Sequence, residues 1–239
     1  MKKILIMFLA AIMLTGCNKI ENGFSFQVRK GKVSWSNGTV KFQTDMNSGG
    51  KKSDNIGFNA FLKCENGHTI QMPGTDLLGY GASCPMGTSG LYKNEDGYSQ
   101  AEVMMQTDDK MMLHLHHEPW ELYDAPIYFD KQITLFRNSP IMAVIDYYKG
   151  AFELLNVAAG VKTVKDGTVR ELENGFVITY TNGITAIIIM PGMEEKKYDE
   201  ALGSVFVSKG VASDEPLRYY IGLSDKGEGY LLEQLDKIL

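Results

Sequence analysis

Residues 174–189 read NGFVITYTNGITAIII. An Asn-Gly pair opens the stretch and a second one, Asn182-Gly183, divides it. The flanks, Phe176–Tyr180 and Ile184–Ile189, are rich in β-branched and aromatic residues, which suit a pleated, half-buried surface. Asn-Gly tolerates the positive φ that both central residues of a type I′ turn require. The stretch therefore reads as a hairpin. The same dipeptide recurs at Asn22-Gly23, Asn37-Gly38 and Asn66-Gly67. Around Asn37-Gly38, Lys32–Ser36 and Thr39–Gln43 alternate as two strands, and Ile56–Leu62 runs up to Asn66-Gly67.

Working outward, strands are expected at 101–107, 110–117, 126–137, 141–148, 151–159, 203–208 and 217–223. Asp108-Asp109 and Asn138-Ser139-Pro140 punctuate them. Only the tail reads as helix: within Glu228–Leu239, Leu231, Leu232, Leu235, Ile238 and Leu239 share one face. A dozen strands and one terminal helix predict an all-β antiparallel sandwich with a C-terminal helix. Pro73–Gly97, rich in Gly and Ser, is the longest expected loop.

The N-terminus reads MKKILIMFLAAIMLTGC. Lys2 and Lys3 precede an apolar run, Ile4–Leu14, of signal-peptide length and too short to span a bilayer. Leu14-Thr15-Gly16-Cys17 resembles a bacterial lipobox, which implies cleavage before Cys17 and its lipidation. Residues 1–16 are thus expected to be a lipoprotein signal peptide, 17–23 the lipidated cysteine with a short polar leash, and 24–239 one sandwich domain. The expected partner is the lipid bilayer. Residue 18 is Asn, not Asp, which by analogy with enterobacterial sorting points to the outer membrane of a Gram-negative cell envelope and leaves the leaflet open.

Without Lys2 and Lys3 the chain holds 22 basic against 29 acidic residues, a net charge of −7. No basic stretch survives, so nucleic acid is not an expected partner. Cys64 and Cys84 remain beyond Cys17, as a disulfide or as two buried thiols. There is no P-loop, GxGxxG, HExxH or GxSxG, and no cofactor is expected.

Three of the four histidines lie in Leu113-His114-Leu115-His116-His117-Glu118-Pro119-Trp120. In a strand, alternate side chains share a face. Leu113 and Leu115 mark the core face with His117, which puts His114 and His116 on the other side, with Pro119 ending the strand. His-x-His can give a zinc ion two ligands, with His68 or Glu118 as a third. It can also pair with acidic neighbours, or serve as an acid/base or sugar contact. Trp120, Tyr123 and Tyr128 follow, and aromatic faces stack on sugar rings. No metal is assigned.

Asp76–Leu91 (DLLGYGASCPMGTSGL), Ile133–Tyr148 (ITLFRNSPIMAVIDYY), Val157–Val161 and Ala201–Val205 resemble, in order, landmarks of a Bacteroidota family catalogued as domain of unknown function 4861. The resemblance covers about residues 72–239. It implies a large sandwich like that of galactose mutarotases and a role in polysaccharide utilisation, with some relatives linked to elimination on uronate oligosaccharides. An arginine expected after the Asn138–Pro140 turn is Met142 here; Arg137 precedes the turn. Elimination requires a base, an acid and a carboxylate clamp. His114 or His116 as base, Tyr123 or Tyr128 as acid and Arg137 as clamp are the candidates for these roles, with Trp120 and Tyr128 as substrate contacts. The expectation is a membrane-anchored lipoprotein of carbohydrate utilisation, either a uronate lyase or dehydratase or a non-catalytic binder of oligosaccharide.

Overall fold

A computed structural model of the chain describes residues 20–47, 57–73, 78–88, 90–92, 97–164, 166–199 and 203–239. The expected signal peptide and lipobox with Cys17, Ile56, and Asp76, Leu77, Ser89, Ala201 and Leu202 of the family-like segments lie outside the described residues.

Five strands come first: β1 (Ser25–Arg29), β2 (Lys32–Ser36), β3 (Val40–Asp45), β4 (Asn59–Lys63) and β5 (Thr69–Gln71). They form one antiparallel sheet in chain order. After β6 (Ser83–Gly87) and β7 (Gly90–Leu91) comes a long meander of β8 (Gln100–Gln106), β9 (Lys110–Leu122), β10 (Ala125–Phe136) and β11 (Ile141–Lys149). Then follow β12 (Leu155–Lys162), β13 (Thr168–Leu172), β14 (Gly175–Thr179) and β15 (Thr185–Ile189). Last are β16 (Glu195–Asp199), β17 (Ser204–Val211), β18 (Pro216–Ser224) and the helix α1 (Glu228–Asp236). An eight-stranded sheet has the order β13-β14-β15-β18-β11-β10-β9-β8, and a further sheet the order β16-β17-β12-β6-β7.

The result is an antiparallel β-sandwich with a C-terminal helix. Alternation along β9, β10 and β11 aims Leu113, Leu115, Phe129, Ile133, Leu135 and Val144 into one core. That core also takes Trp35, Phe42 and Phe58 from the N-terminal sheet region and Val157, Val205 and Val207 from the third sheet. On the opposite face of the large sheet, Leu231 and Leu235 of α1 cover Ile141, Val177, Ile187 and Ile189. Burying each such side chain contributes about 1.5–3 kcal/mol.

Several expectations need correction. The Pro73–Gly97 segment is not a plain loop: Ser83–Gly87 pairs with β12 through Val157↔Pro85, Ala158↔Cys84 and Ala159↔Ser83. Gly81 serves close packing there; a Cβ on it would meet Met142 and Phe58 atoms within 2.9 Å. Within the expected polar leash, Ile20 is buried. Cys64 and Cys84 are both buried free thiols.

The turn chemistry also differs. At four of the five Asn-Gly sites only the glycine has positive φ (Gly23, Gly38, Gly67, Gly183), and Gly175 is not in that region at all. At three of them the asparagine does something else. Its side chain accepts backbone N–H groups: Val40 and Thr39 at Asn37, His68 at Asn66, Ile184 at Asn182. This Asx-type bond turns the chain with the asparagine outside the left-handed region. The two-residue loops with positive φ at both positions are Lys30-Gly31 and Tyr123-Asp124, where no Asn-Gly marks them.

One buried ion pair joins the sheets. Lys131 on β10 and Asp146 on β11 are both fully buried and 2.6 Å apart. Lys131 also donates to the Gly81 carbonyl (3.0 Å) and to the Tyr219 hydroxyl (2.7 Å). Asp146 accepts from Ser83 on β6 and from Tyr219 (2.9 Å). Burial pushes the Lys131 ammonium below its ordinary value, and Asp146 opposes that shift. Removing one partner strands the other charge, at a cost of about 3–5 kcal/mol. Lys131→Met should therefore lower the urea midpoint sharply, whereas Lys131→Met combined with Asp146→Leu should recover most of the loss. Additive losses in the double variant would mean that the pair is not coupled.

Candidate functional site

The octapeptide LHLHHEPW lies within β9, and its alternation splits the histidines as expected. His114 and His116 lie on the face away from the core, about a quarter exposed. Both rings meet one carboxylate oxygen of Asp130, at 2.9 Å from His114 Nε2 and 2.6 Å from His116 Nδ1. Glu102 on β8 lies 3.6 Å from the other His114 nitrogen. The register explains the clamp, since His116 stands opposite Asp130 and His114 opposite Gln132. The pair thus bridges β9 and β10 through a carboxylate. Among the described residues no three His, Cys, Asp or Glu side chains are grouped to hold a metal ion, and His68 is exposed in the β4–β5 turn.

Pro119 does not end the strand. Trp120 stands opposite Ile127 and His117 opposite Phe129, so Glu118 and Pro119 together face only Tyr128. The extra residue is a β-bulge, which reverses the alternation beyond it. His117 and Trp120 therefore both face inward, where Trp120 approaches His117, Phe129 and Tyr148 with ring centroids 6.1, 6.2 and 6.4 Å away. Tyr128 is pushed outward and exposed.

The inward pair lines a narrow cavity of about 20 Å³ with Ser83, Tyr92, Tyr98 and Tyr148. Such a volume admits roughly one water. Tyr98 lies against His117, with centroids 4.1 Å apart. Tyr92, one of the lining residues, connects the cavity to the tip of the β9–β10 hairpin. There Tyr123 is two-thirds exposed and packs edge-on against Tyr92, with centroids 5.1 Å apart. The hydrogen bond that the Tyr123 hydroxyl donates to Tyr92 raises the Tyr123 phenol above its ordinary value. Gly87 makes room for both rings, because a Cβ there would come within 2.5 Å of each. Tyr123 holds φ 53°, a left-handed conformation that costs a non-glycine residue about 1–2 kcal/mol.

Of the sequence-expected residues, Trp120 lines the cavity and Tyr123 packs on Tyr92, another of its lining residues. His114, His116 and Tyr128 lie on the opposite face of the sheet. Arg137 is elsewhere again. It stacks over Phe24, 5.0 Å from the ring centroid, and donates to the Asp108 carbonyl. It lies just past the C-terminal end of β10, whereas Tyr123 precedes its first residue; a 12-residue strand spans roughly 40 Å. The four residues expected to share one elimination site are not brought together. Sequence reading placed His117 on the core face through the leucine alternation, and missed Tyr92 and Tyr98.

Residues 1–18 match the family model for the prokaryotic membrane lipoprotein lipid attachment site. No curated protein matches the chain. Among solved structures, a protein assigned as a kojibiose phosphorylase from the human microbiome is similar at TM-score 0.50 and 8% identity, over 91% of this chain and 35% of that one. The heparan sulfate lyase HepC from Pedobacter heparinus is similar at TM-score 0.52 and 10% identity, over 91% of this chain and 37% of that one. The chain spans little more than a third of the length of either structure. At such identity the likeness is one of fold.

His117 gives this site a pH signature. Burial, then the Lys131 charge, lowers its pKa from 6.5 to about 3, against a hydrogen bond with the Gly97 backbone. The unfolded chain takes up the proton near pH 6.5 and the folded chain does not. The neutral ring's contribution is therefore complete above pH 6.5 and declines as pH falls from there toward 3, by up to about 1.4 kcal/mol per pH unit. The His117 ring should show no NMR titration down to pH 4, and His117→Gln should flatten the stability slope between pH 4 and 6.5. A His117 midpoint near 6 would contradict this placement.

Proposed function

We propose that this chain is a lipid-anchored, non-catalytic glycan-binding protein of a carbohydrate-utilisation system. Its ligand seats on the Tyr92–Trp120–Tyr123 rim. The carrying observation is Tyr123, an exposed aromatic residue held in a left-handed turn and packed on Tyr92, which lines the aromatic cavity. Strain at a hairpin tip that other residues fill more cheaply is a signature of function. Aromatic edges and faces with phenol hydroxyls beside them suit the apolar faces and hydroxyls of a sugar ring. The lipid attachment match supports the anchor at Cys17. The carbohydrate-active names of the two similar structures lend distant support to the ligand class. Membership of the 4861 family and placement in the outer membrane belong to the same proposal.

The geometry favours binding over elimination. An acid, a base and a carboxylate clamp must reach one substrate carbon together. Here His114 and His116 spend nitrogens on Asp130 behind the sheet, Arg137 lies at the far end of β10, and His117 sits behind a cavity of one-water size. A sugar contacts the rim without reaching any of them.

The test is a glycan array with the full chain in detergent, followed by titration of the selected oligosaccharide. Trp35 is fully buried in the core, so a ligand-dependent change in tryptophan emission reports on Trp120. Tyr123→Ala should weaken binding about tenfold, the loss of one aromatic contact of about 1–1.5 kcal/mol. Unchanged affinity in that variant would remove the rim from the binding site. An ultraviolet absorbance rise from an unsaturated uronate product would overturn the non-catalytic assignment.

A further inference from the structure

We propose that the anchor holds the sandwich in one orientation, standing on the pole where the chain enters the domain, with the aromatic rim carried away from the bilayer. This rests on lipid attachment at Cys17 and is independent of the glycan reading.

The chain is fixed to the body from residue 20 onward. Ile20 is buried. Asn22 accepts a hydrogen bond from the Lys63 ammonium at 2.8 Å. Gly23 lies so close to Gly38 that a Cβ on the latter would meet its nitrogen at 2.8 Å. Phe24 is capped by Arg137. Cys17 precedes Ile20 by three residues, so at full extension it reaches no more than about 11 Å from the body.

That reach is shorter than the domain. Arg137, which caps Phe24, follows Phe136, and Phe136 stands opposite Lys110 at the start of β9. The rim residue Trp120 lies ten strand positions further on, roughly 30 Å away. For the domain to stand on the rim with the entry pole uppermost, the acyl chains would have to leave the membrane by far more than the leash spans. The lipid therefore excludes the inverted orientation by length alone.

The pole suits a headgroup layer. A recess of about 300 Å³ opens there, lined among others by Asn22, Lys63, Asn138, Asp225, Lys226 and Tyr230. Lys226 lies over the Tyr230 ring, 5.0 Å from its centroid, and pairs with Glu65 at 2.7 Å. Tyrosine and lysine are at home at the interface between headgroups and water. The lysines are balanced by Glu65 and Asp225, so the orientation does not depend on anionic lipid.

The test uses the full lipidated chain in phosphatidylcholine vesicles with a quencher on the headgroups. Fluorophores are attached one at a time at Lys110→Cys and Glu121→Cys; Cys64 and Cys84 are buried. The label at position 110 should be quenched severalfold more than that at 121. Adding anionic lipid should not change this ratio, and a Gly-Ser extension between Lys19 and Ile20 should level the two. Equal or reversed quenching with the native leash overturns the orientation. A chain that does not float with the vesicles overturns the anchor and the orientation together. Neither result bears on whether the rim binds glycan.

Discussion

A buried ammonium, that of Lys131, holds the sandwich in register. Its three donors go to Asp146 on the neighbouring strand, to Tyr219 on the next one and to the Gly81 carbonyl just before β6. Its charge also lies 5.7 Å from the ring centroid of Phe58, beside the N-terminal sheet. Placing an ion in such a core costs several kcal/mol in lost hydration, and good hydrogen-bond geometry only offsets that. The pair is therefore weak evidence for net stability. What it supplies is uniqueness: a one-residue slip of β10 against β11 would turn Lys131 or Asp146 to the opposite face and leave its partner uncompensated. The network also sets the back wall of the cavity. Ser83 bonds both Asp146 and Tyr148, and the Lys131 charge helps to keep His117 neutral.

From that wall the site is built outward by one irregularity. The bulge at Glu118-Pro119 turns Trp120 back toward the core and forces the hairpin to close through Tyr123-Asp124. Without the extra residue, Trp120 would share the outer face with His114 and His116, and the rim would lose its indole. A local defect in pairing thus decides whether the aromatic residues after the histidines form one surface or two. The outer histidines have a different task. By sharing one Asp130 oxygen they tie β9 to β10 on the solvent side, opposite the buried pair that ties β10 to β11 on the inner side.

What the sequence revealed follows from how local each feature is. Strand alternation is a property of neighbours, so the hairpin at 174–189, the meander from 101 to 148 and the split of the histidines by Leu113 and Leu115 could all be read directly. The apolar stripe of α1 was equally plain. The turns misled because Asn-Gly permits more than one conformation; asparagine here bonds its own backbone instead of entering the left-handed region. Tyr123-Asp124 and Lys30-Gly31 take the double positive φ because strand register demands it there. The Pro73–Gly97 segment hid β6, because a strand made of Ser, Cys, Pro, Met and Gly shows no periodicity, and small residues were needed for Gly81 and Ser83 to approach the buried pair. The bulge was invisible for a deeper reason: it exists only in the pairing with β10, and no window on β9 alone contains it.

The same distinction separates the two halves of the functional reading. The anchor is a covalent matter, settled within a few residues of Cys17, and its reach follows from bond lengths. The ligand site is a matter of three-dimensional convergence, and residues adjacent in sequence diverge there. Arg137 illustrates the point. Near the histidines in the chain, it stands at the end of a strand whose other end carries the rim, where it fixes Phe24 and with it the entry of the leash. An arginine that sequence reading placed in a carboxylate clamp is thus part of the joint between anchor and domain. A short leash tied to one end of a long hairpin, with aromatic rings at the other, is an arrangement for display. On the proposed reading it holds a binding surface at a set height above a membrane, a role that requires rigidity along β9 and β10 and no reacting groups at the tip.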